Sequence, residues 1–147
     1  MKTLTIVLIL LAFIQTTIIP VDLVLMVILL RAYIKVEKTN LYLAFILGLL
    51  VAYLQQLPLG VFSLLYLVLT QLTHLFSKLP VSKNFFSVVP LICILLSSNE
   101  LVSLLFAGRS PDWFRILWGS LLALPLYFVL KIWEERFVVR PEIKLKV

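Results

Sequence analysis

The chain has 147 residues, 63% of them hydrophobic and only 14% charged, with a formal net charge of +6 and a mean hydropathy of +1.14. Soluble domains are about half apolar and about a quarter charged, so the composition excludes an ordinary globular domain and predicts a membrane protein. One helical crossing takes about 20 residues, which leaves almost nothing for a soluble domain. One cysteine and one histidine rule out an internal disulfide and a Cys/His metal site. No glycine-rich phosphate loop, His-Glu-x-x-His pair or Gly-x-Ser-x-Gly elbow is present.

Six transmembrane helices are expected, over about 4–19, 21–36, 41–57, 59–76, 85–107 and 113–133, followed by a basic tail over 134–147. The first run ends Gln15-Thr16-Thr17-Ile18-Ile19-Pro20 without a small-residue cleavage site, so it is expected as a span and not a removed signal. Gln15, Thr16 and Thr17 can bond neighbouring helices or their own carbonyls. The second run is short and carries Asp22 at one end and Arg31 and Lys35 at the other, charges expected to snorkel from a tilted helix. Pro58 and Gly60 break the long stretch that follows into a tight hairpin. Pro125 is expected to kink the sixth helix.

Cationic side chains then choose the orientation. With a cytoplasmic N-terminus, eleven of the 13 lysines and arginines face inward and only Arg109 and Arg115 face outward, a strong positive-inside bias that returns the C-terminus to the cytoplasm. The positive charge is thereby assigned to topology and anionic inner-leaflet lipid, with no nucleic-acid role. The tail's Glu142-Ile143-Lys144-Leu145-Lys146-Val147 alternation reads either as a solvated basic end or as a short strand for a partner's edge.

Polar residues inside apolar spans carry the functional signal, because burying them costs free energy. Glu100, within Ser97-Ser98-Asn99-Glu100, is the sharpest, with Arg115 and Arg109 as cationic candidates and Asp22 and Asp112 on the same side. Together with Gln55, Gln56 and Asn99, these residues form either a pocket or partner-docking site at the outer side, or an interhelical network that fixes the bundle. The two glutamines can satisfy backbone groups at their turn or line a cavity. Thr70, Gln71 and His74 make a second stripe near the inner end, where His74 is expected as a hydrogen-bonding group and not a metal ligand. Gly48 and Gly119 permit close helix approach.

Taken as a whole, the order of features resembles the rod-shape-determining protein MreD family of the bacterial cell-elongation machinery. The matching positions are Gln15 through Pro20, then Asp22-Leu23-Val24-Leu25, then Gly48-Leu49-Leu50 through Pro58-Leu59-Gly60, and Pro125 before the basic tail. The family usually carries an acid four positions after the glycine of the third helix; here that position is Ala52, followed by Gln55 and Gln56. The resemblance implies a non-enzymatic scaffold of the inner membrane without a cofactor, and a bundle similar to the substrate-binding subunits of energy-coupling-factor transporters. It also implies binding to the single-span periplasmic protein MreC and, through it, to the elongation transpeptidase and glycosyltransferase, with self-association left open. The alternative is a vitamin-binding transporter subunit whose cavity is lined by Gln55, Gln56, Asn99 and Glu100. An intramembrane enzyme lacks a paired acid, metal site or nucleophile in this sequence.

Overall fold

The computed structural model describes residues 2–18, 21–80, 85–108 and 110–138. They form six α-helices: α1 (Lys2–Thr17), α2 (Leu23–Ile34), α3 (Lys38–Leu54), α4 (Leu59–Ser77), α5 (Val88–Ala107) and α6 (Trp113–Trp133). A short 3-10 turn, Phe85–Ser87, leads into α5, and a π turn, Glu134–Val138, extends α6. No strand occurs among the described residues.

The chain folds around α2. Every residue from Leu23 to Tyr33 is buried, and α2 packs against each of the other five helices. Its sequence, LVLMVILLRAYI, has no polar face to turn outward, and a helix that is apolar all round is stable only when enclosed. Around it, α3 pairs most extensively with α4 and α5 with α6.

Length separates the helices into two groups. Three are long and apolar enough to cross a membrane: Leu59–Ser77, Val88–Ala107 and Trp113–Arg136. The helices α1, α2 and α3 have 16, 12 and 17 residues, so six full-length spans are not reached. At 1.5 Å per residue α2 is about 18 Å long, against the roughly 30 Å of a hydrocarbon core. The span expected over 21–36 is a short central helix enclosed by the others.

Burial is inverted relative to a water-soluble bundle. Ile6, Leu10 and Phe13 of α1, Ile94, Leu101 and Leu105 of α5, and Phe114, Leu117, Trp118 and Leu121 of α6 all face outward, while Asp22, Arg31, Asn40, His74, Asn99, Glu100 and Glu134 are buried. Apolar exteriors of this extent are stable only against another apolar phase.

Two glycines set helix distances. A Cβ on Gly48 would lie 2.8 Å from Ser63 Cα, so α3 and α4 touch backbone to backbone there, and one on Gly119 would meet Leu96 Cδ1 at 2.5 Å. The close approach expected of both is present. Gly60, by contrast, has open space where a Cβ would go, so it does not make the hairpin break. That break is a main-chain motif at the end of α3. Gln56 adopts φ +55, Leu57 N–H donates to Ala52 O (2.8 Å) and Gln56 N–H to Tyr53 O (3.3 Å), and Pro58 then starts α4. This closes the helix as a Schellman motif, with glutamine in the left-handed position usually held by glycine. The glutamine side chains are therefore not needed to satisfy this turn. The left-handed region costs an L-residue about 1–2 kcal/mol, and glycine returns roughly 0.5–1 of that as unfolded-state entropy. Gln56→Gly is accordingly expected to stabilise the protein by about 0.5–1 kcal/mol, read as a raised unfolding midpoint in detergent; a lowered midpoint would mean that the side chain holds the turn.

Candidate functional site

Antiparallel helix order gathers two polar clusters at opposite ends of the bundle. At the first end lie the C-termini of α1, α3 and α5 and the N-termini of α2, α4 and α6, which surround an open cavity of about 1080 Å³. Gln15, Asp22, Gln55, Gln56, Asn99, Glu100, Ser103, Asp112 and Arg115 line it, with Phe62 and Tyr66 of α4. The candidates Asp22, Gln55, Gln56, Asn99, Glu100 and Arg115 are thus brought to one place. Arg109 and Pro20 lie outside the described residues.

The buried carboxyl of Glu100 is held by α6. Its Oε1 is 3.6 Å from Arg115 Nη1, and its Oε2 accepts a long 3.5 Å bond from the Asp112 backbone N–H. Asp112 caps α6 by accepting from Phe114 N–H at 3.1 Å, the arrangement that satisfies an orphan donor at a helix start. Ser97, Glu100 and Ser103, at spacings of three, fall on one side of α5, but only Glu100 and Ser103 reach the cavity. Ser97 instead donates to Cys93 O of its own helix (2.7 Å).

The sequence left the contacts of Gln15 and Asn99 unassigned. Gln15 Oε1 accepts from Val24 N–H (2.9 Å), so a side chain of α1 caps α2, for which Asp22 makes no side-chain cap. Asn99 Nδ2 donates to Asp22 Oδ2 (2.9 Å) and ties α5 to the start of α2. These bonds fix both amide orientations, because an N–H must face a carbonyl oxygen and a carboxylate must face an amino group. Gln15 Nε2, Asn99 Oδ1 and Arg115 Nε are then left without hydrogen-bond partners although buried. Thr16 and Thr17 both donate to Phe13 O of their own helix, at 2.9 and 2.7 Å.

The family-motif positions divide accordingly. Gln15 and Asp22 are at the cavity, Gly48 sets the α3–α4 contact, Gly60 has no packing requirement, and Pro125 sits inside α6, where it has no N–H to donate. Ala52, at the position usually acidic in the family, is fully buried, whereas Gln55 and Gln56 line the cavity.

At the other end Arg31 forms the second cluster, and it does not snorkel. The residue is 2% exposed, and its guanidinium donates from Nε to Glu134 Oε1 (2.9 Å), from Nη1 to Asn40 Oδ1 (2.7 Å) and from Nη2 to Glu37 Oε2 (3.4 Å). Asn40 Nδ2 donates to Lys35 O (2.7 Å) and lies 3.5 Å from His74 Nε2, so His74 is a hydrogen-bonding group of this network. Gln71, one turn before, points outward. Lys35 Nζ, 2.7 Å from Glu37 Oε1, donates the hydrogen bond that holds the Glu37 carboxyl below its ordinary pKa. Snorkelling fails because Asn40, Glu37 and Glu134 supply inside the bundle what water would supply outside it. Glu134, assigned by sequence to a solvated tail, is 6% exposed; residues 139–147, with the strand-like alternation, lie outside the described residues. No group of three His, Cys, Asp or Glu able to hold a metal occurs among the described residues.

Compared with protein-family models, curated proteins and solved structures, the chain matches none.

Proposed function

We propose that this chain is a polytopic inner-membrane scaffold of the MreD kind, with the helical bundle embedded and both termini cytoplasmic. It binds MreC and thereby helps control peptidoglycan synthesis and rod shape. On this reading α4, α5 and α6 cross the membrane fully, and α1 to α3 complete a six-helix bundle similar to the substrate-binding subunits of energy-coupling-factor transporters. The basic residues of the Arg31 end face the cytoplasm and its anionic lipid.

The supporting observation is the cavity at the opposite end, which carries charged groups of both signs, Asp22, Glu100, Asp112 and Arg115, yet is left open. Its connections, 18–22, 55–58 and 108–112, are too short to fold over it. A partner's juxtamembrane segment entering from the periplasm would meet Asp22, Glu100 and Arg115 there, where charged groups out of bulk water interact strongly. Glu100→Gln is expected to reduce MreC recovery by at least about tenfold, the loss of roughly one charge-assisted bond, in co-purification from mild detergent, with the folded fraction unchanged. Undiminished recovery removes Glu100 from the interface, and absence of MreC from the wild-type eluate removes the scaffold assignment. A solute-binding transporter subunit is the second reading, favoured by the polar lining of the cavity, Gln55, Gln56, Asn99 and Glu100; recovery of ATPase subunits in the same eluate would select it.

A further inference from the structure

We infer that the bundle is a hinged clamp: α3 and α4 with α1 form one body, α5 and α6 form the other, and the two swing on α2 about the Arg31 end, so that the cavity at the far end widens and narrows. The inference rests on the fold and not on which partner the cavity receives.

The cavity exists because the central helix stops short of its neighbours. Arg31 bonds Asn40 at 2.7 Å, which puts the end of α2 level with the start of α3. From that level α2 runs back eight residues to Leu23, about 12 Å, while α3 runs on fourteen to Leu54, about 21 Å. Asn99 bonds Asp22 at 2.9 Å, and α5 continues eight residues past Asn99 to Ala107, about 12 Å further. Beyond the start of α2 the two bodies therefore face each other with no helix between them. Val51, Leu54 and Gln55 from one body and Ser103 from the other line that space. An adjoining cleft lies between Gln55 through Pro58 on one side and Phe106 and Ala107 on the other, so the gap continues outward between the α3–α4 turn and the end of α5.

Packing holds each body together and leaves the two nearly separate. A Cβ at Gly48 of α3 would meet the backbone of α4, and one at Gly119 of α6 would meet Leu96 of α5, so each hairpin is closely packed. Between the bodies, among the described residues, only α4 and α5 pack to any extent, and only slightly; otherwise contact passes through α2. Polar ties follow the same division. At one end the buried Arg31 guanidinium bonds Asn40 and Glu37 at the start of α3 and Glu134 after α6, which fastens both bodies at a single point. At the other end Gln15 bonds Val24 N–H and Asn99 bonds Asp22, ties that hold each body to α2 and not to the other body. The connections there are too short to fold over the cavity, so its width changes only when whole helices move, as packed units do in hinge motions. A rotation of about 15° moves a point about 21 Å from the pivot by roughly 5 Å.

The test measures distances between paired spin labels by double electron–electron resonance, on the full chain in phosphatidylcholine vesicles, with Cys93→Ser as the background. Leu59→Cys with Phe106→Cys places one label on each body at the mouth, and Leu75→Cys with Ile132→Cys does so near Arg31. All four side chains are exposed, so the labels leave the core intact. The mouth pair is expected to give two distances about 5 Å apart, or one distribution broader by that amount than the pair near Arg31. Tyr53→Cys with Leu105→Cys, also exposed, repeats the mouth reading from α3 and α5 should the first pair fail to fold. A mouth distribution as narrow as the one near Arg31 would overturn the swing. Equally broad distributions at both ends would overturn the pivot at Arg31.

Discussion

Arg31→Met is expected to destabilise the protein by about 3–5 kcal/mol, the usual cost of removing one partner from a buried ion pair. The guanidinium and the Glu134 carboxyl have side-chain exposures of 3% and 8%, so Coulomb attraction there is little screened. The same guanidinium bonds Asn40 and Glu37. One side chain therefore joins the end of α2 to the start of α3 and to the turn after α6. Methionine of similar length fills the space but leaves Glu134 buried and unpaired, and Glu134 Oε2 already has no partner. The second change Glu134→Gln removes that stranded charge, and the double variant should recover about half of the loss. Unfolding midpoints in detergent measure both. A loss under about 1 kcal/mol for Arg31→Met would place the pair in water and refute its burial.

Gly48→Val is expected to be the second most damaging single change, at about 3 kcal/mol or more, with Gly48→Ala at about 1–3. The reason is what the new atom meets. At Gly48 a Cβ would lie 2.8 Å from the backbone Cα of Ser63 and 3.2 Å from Tyr66 Cβ, and backbone cannot rotate away, so α3 and α4 must separate along their whole contact. Tyr66 and Phe62 would move with α4, and both line the cavity. Gly119→Ala is the control: its Cβ meets Leu96 Cδ1, the far end of a side chain that can change rotamer, so a cost of about 1 kcal/mol is expected. Gly60→Ala meets nothing and lies in the first turn of α4, where alanine is the better helix former by about 1 kcal/mol. Equal effects at Gly48 and Gly119 in thermal unfolding would rule out the backbone contact.

Much of the candidate site was legible because polar side chains stand out against apolar helices. Arg115 and Arg109 were the candidate partners of Glu100 by their positions at the same side, and Gln55 and Gln56 were grouped by the turn they close. The enclosure of α2 was not legible. When both faces of a helix are apolar, the 3.6-residue period that would reveal a buried side vanishes, and length alone separates an enclosed helix from a span. Arg31 was misjudged for a related reason: a cation at a helix end reads as snorkelling unless its acceptors are known, and Glu134 lies more than a hundred residues further along the chain.

Sequence by itself determined that the chain is helical and apolar, where five of its connections fall, and that most bases collect at the end opposite Asp22, Glu100, Gln55 and Gln56. Those properties follow from composition and from the alternation of helix direction, which short connections enforce. The tertiary structure alone decided that α2 is the enclosed centre of the bundle, that Gln15 and not Asp22 caps it, and that Asn99 binds Asp22. It also decided that Gln15 Nε2, Asn99 Oδ1 and Arg115 Nε are buried without hydrogen-bond partners. Each of these depends on which side chains of different helices meet through space, and the hydrogen-bonding capacity of a side chain is known from its type whereas its partner is set only by packing.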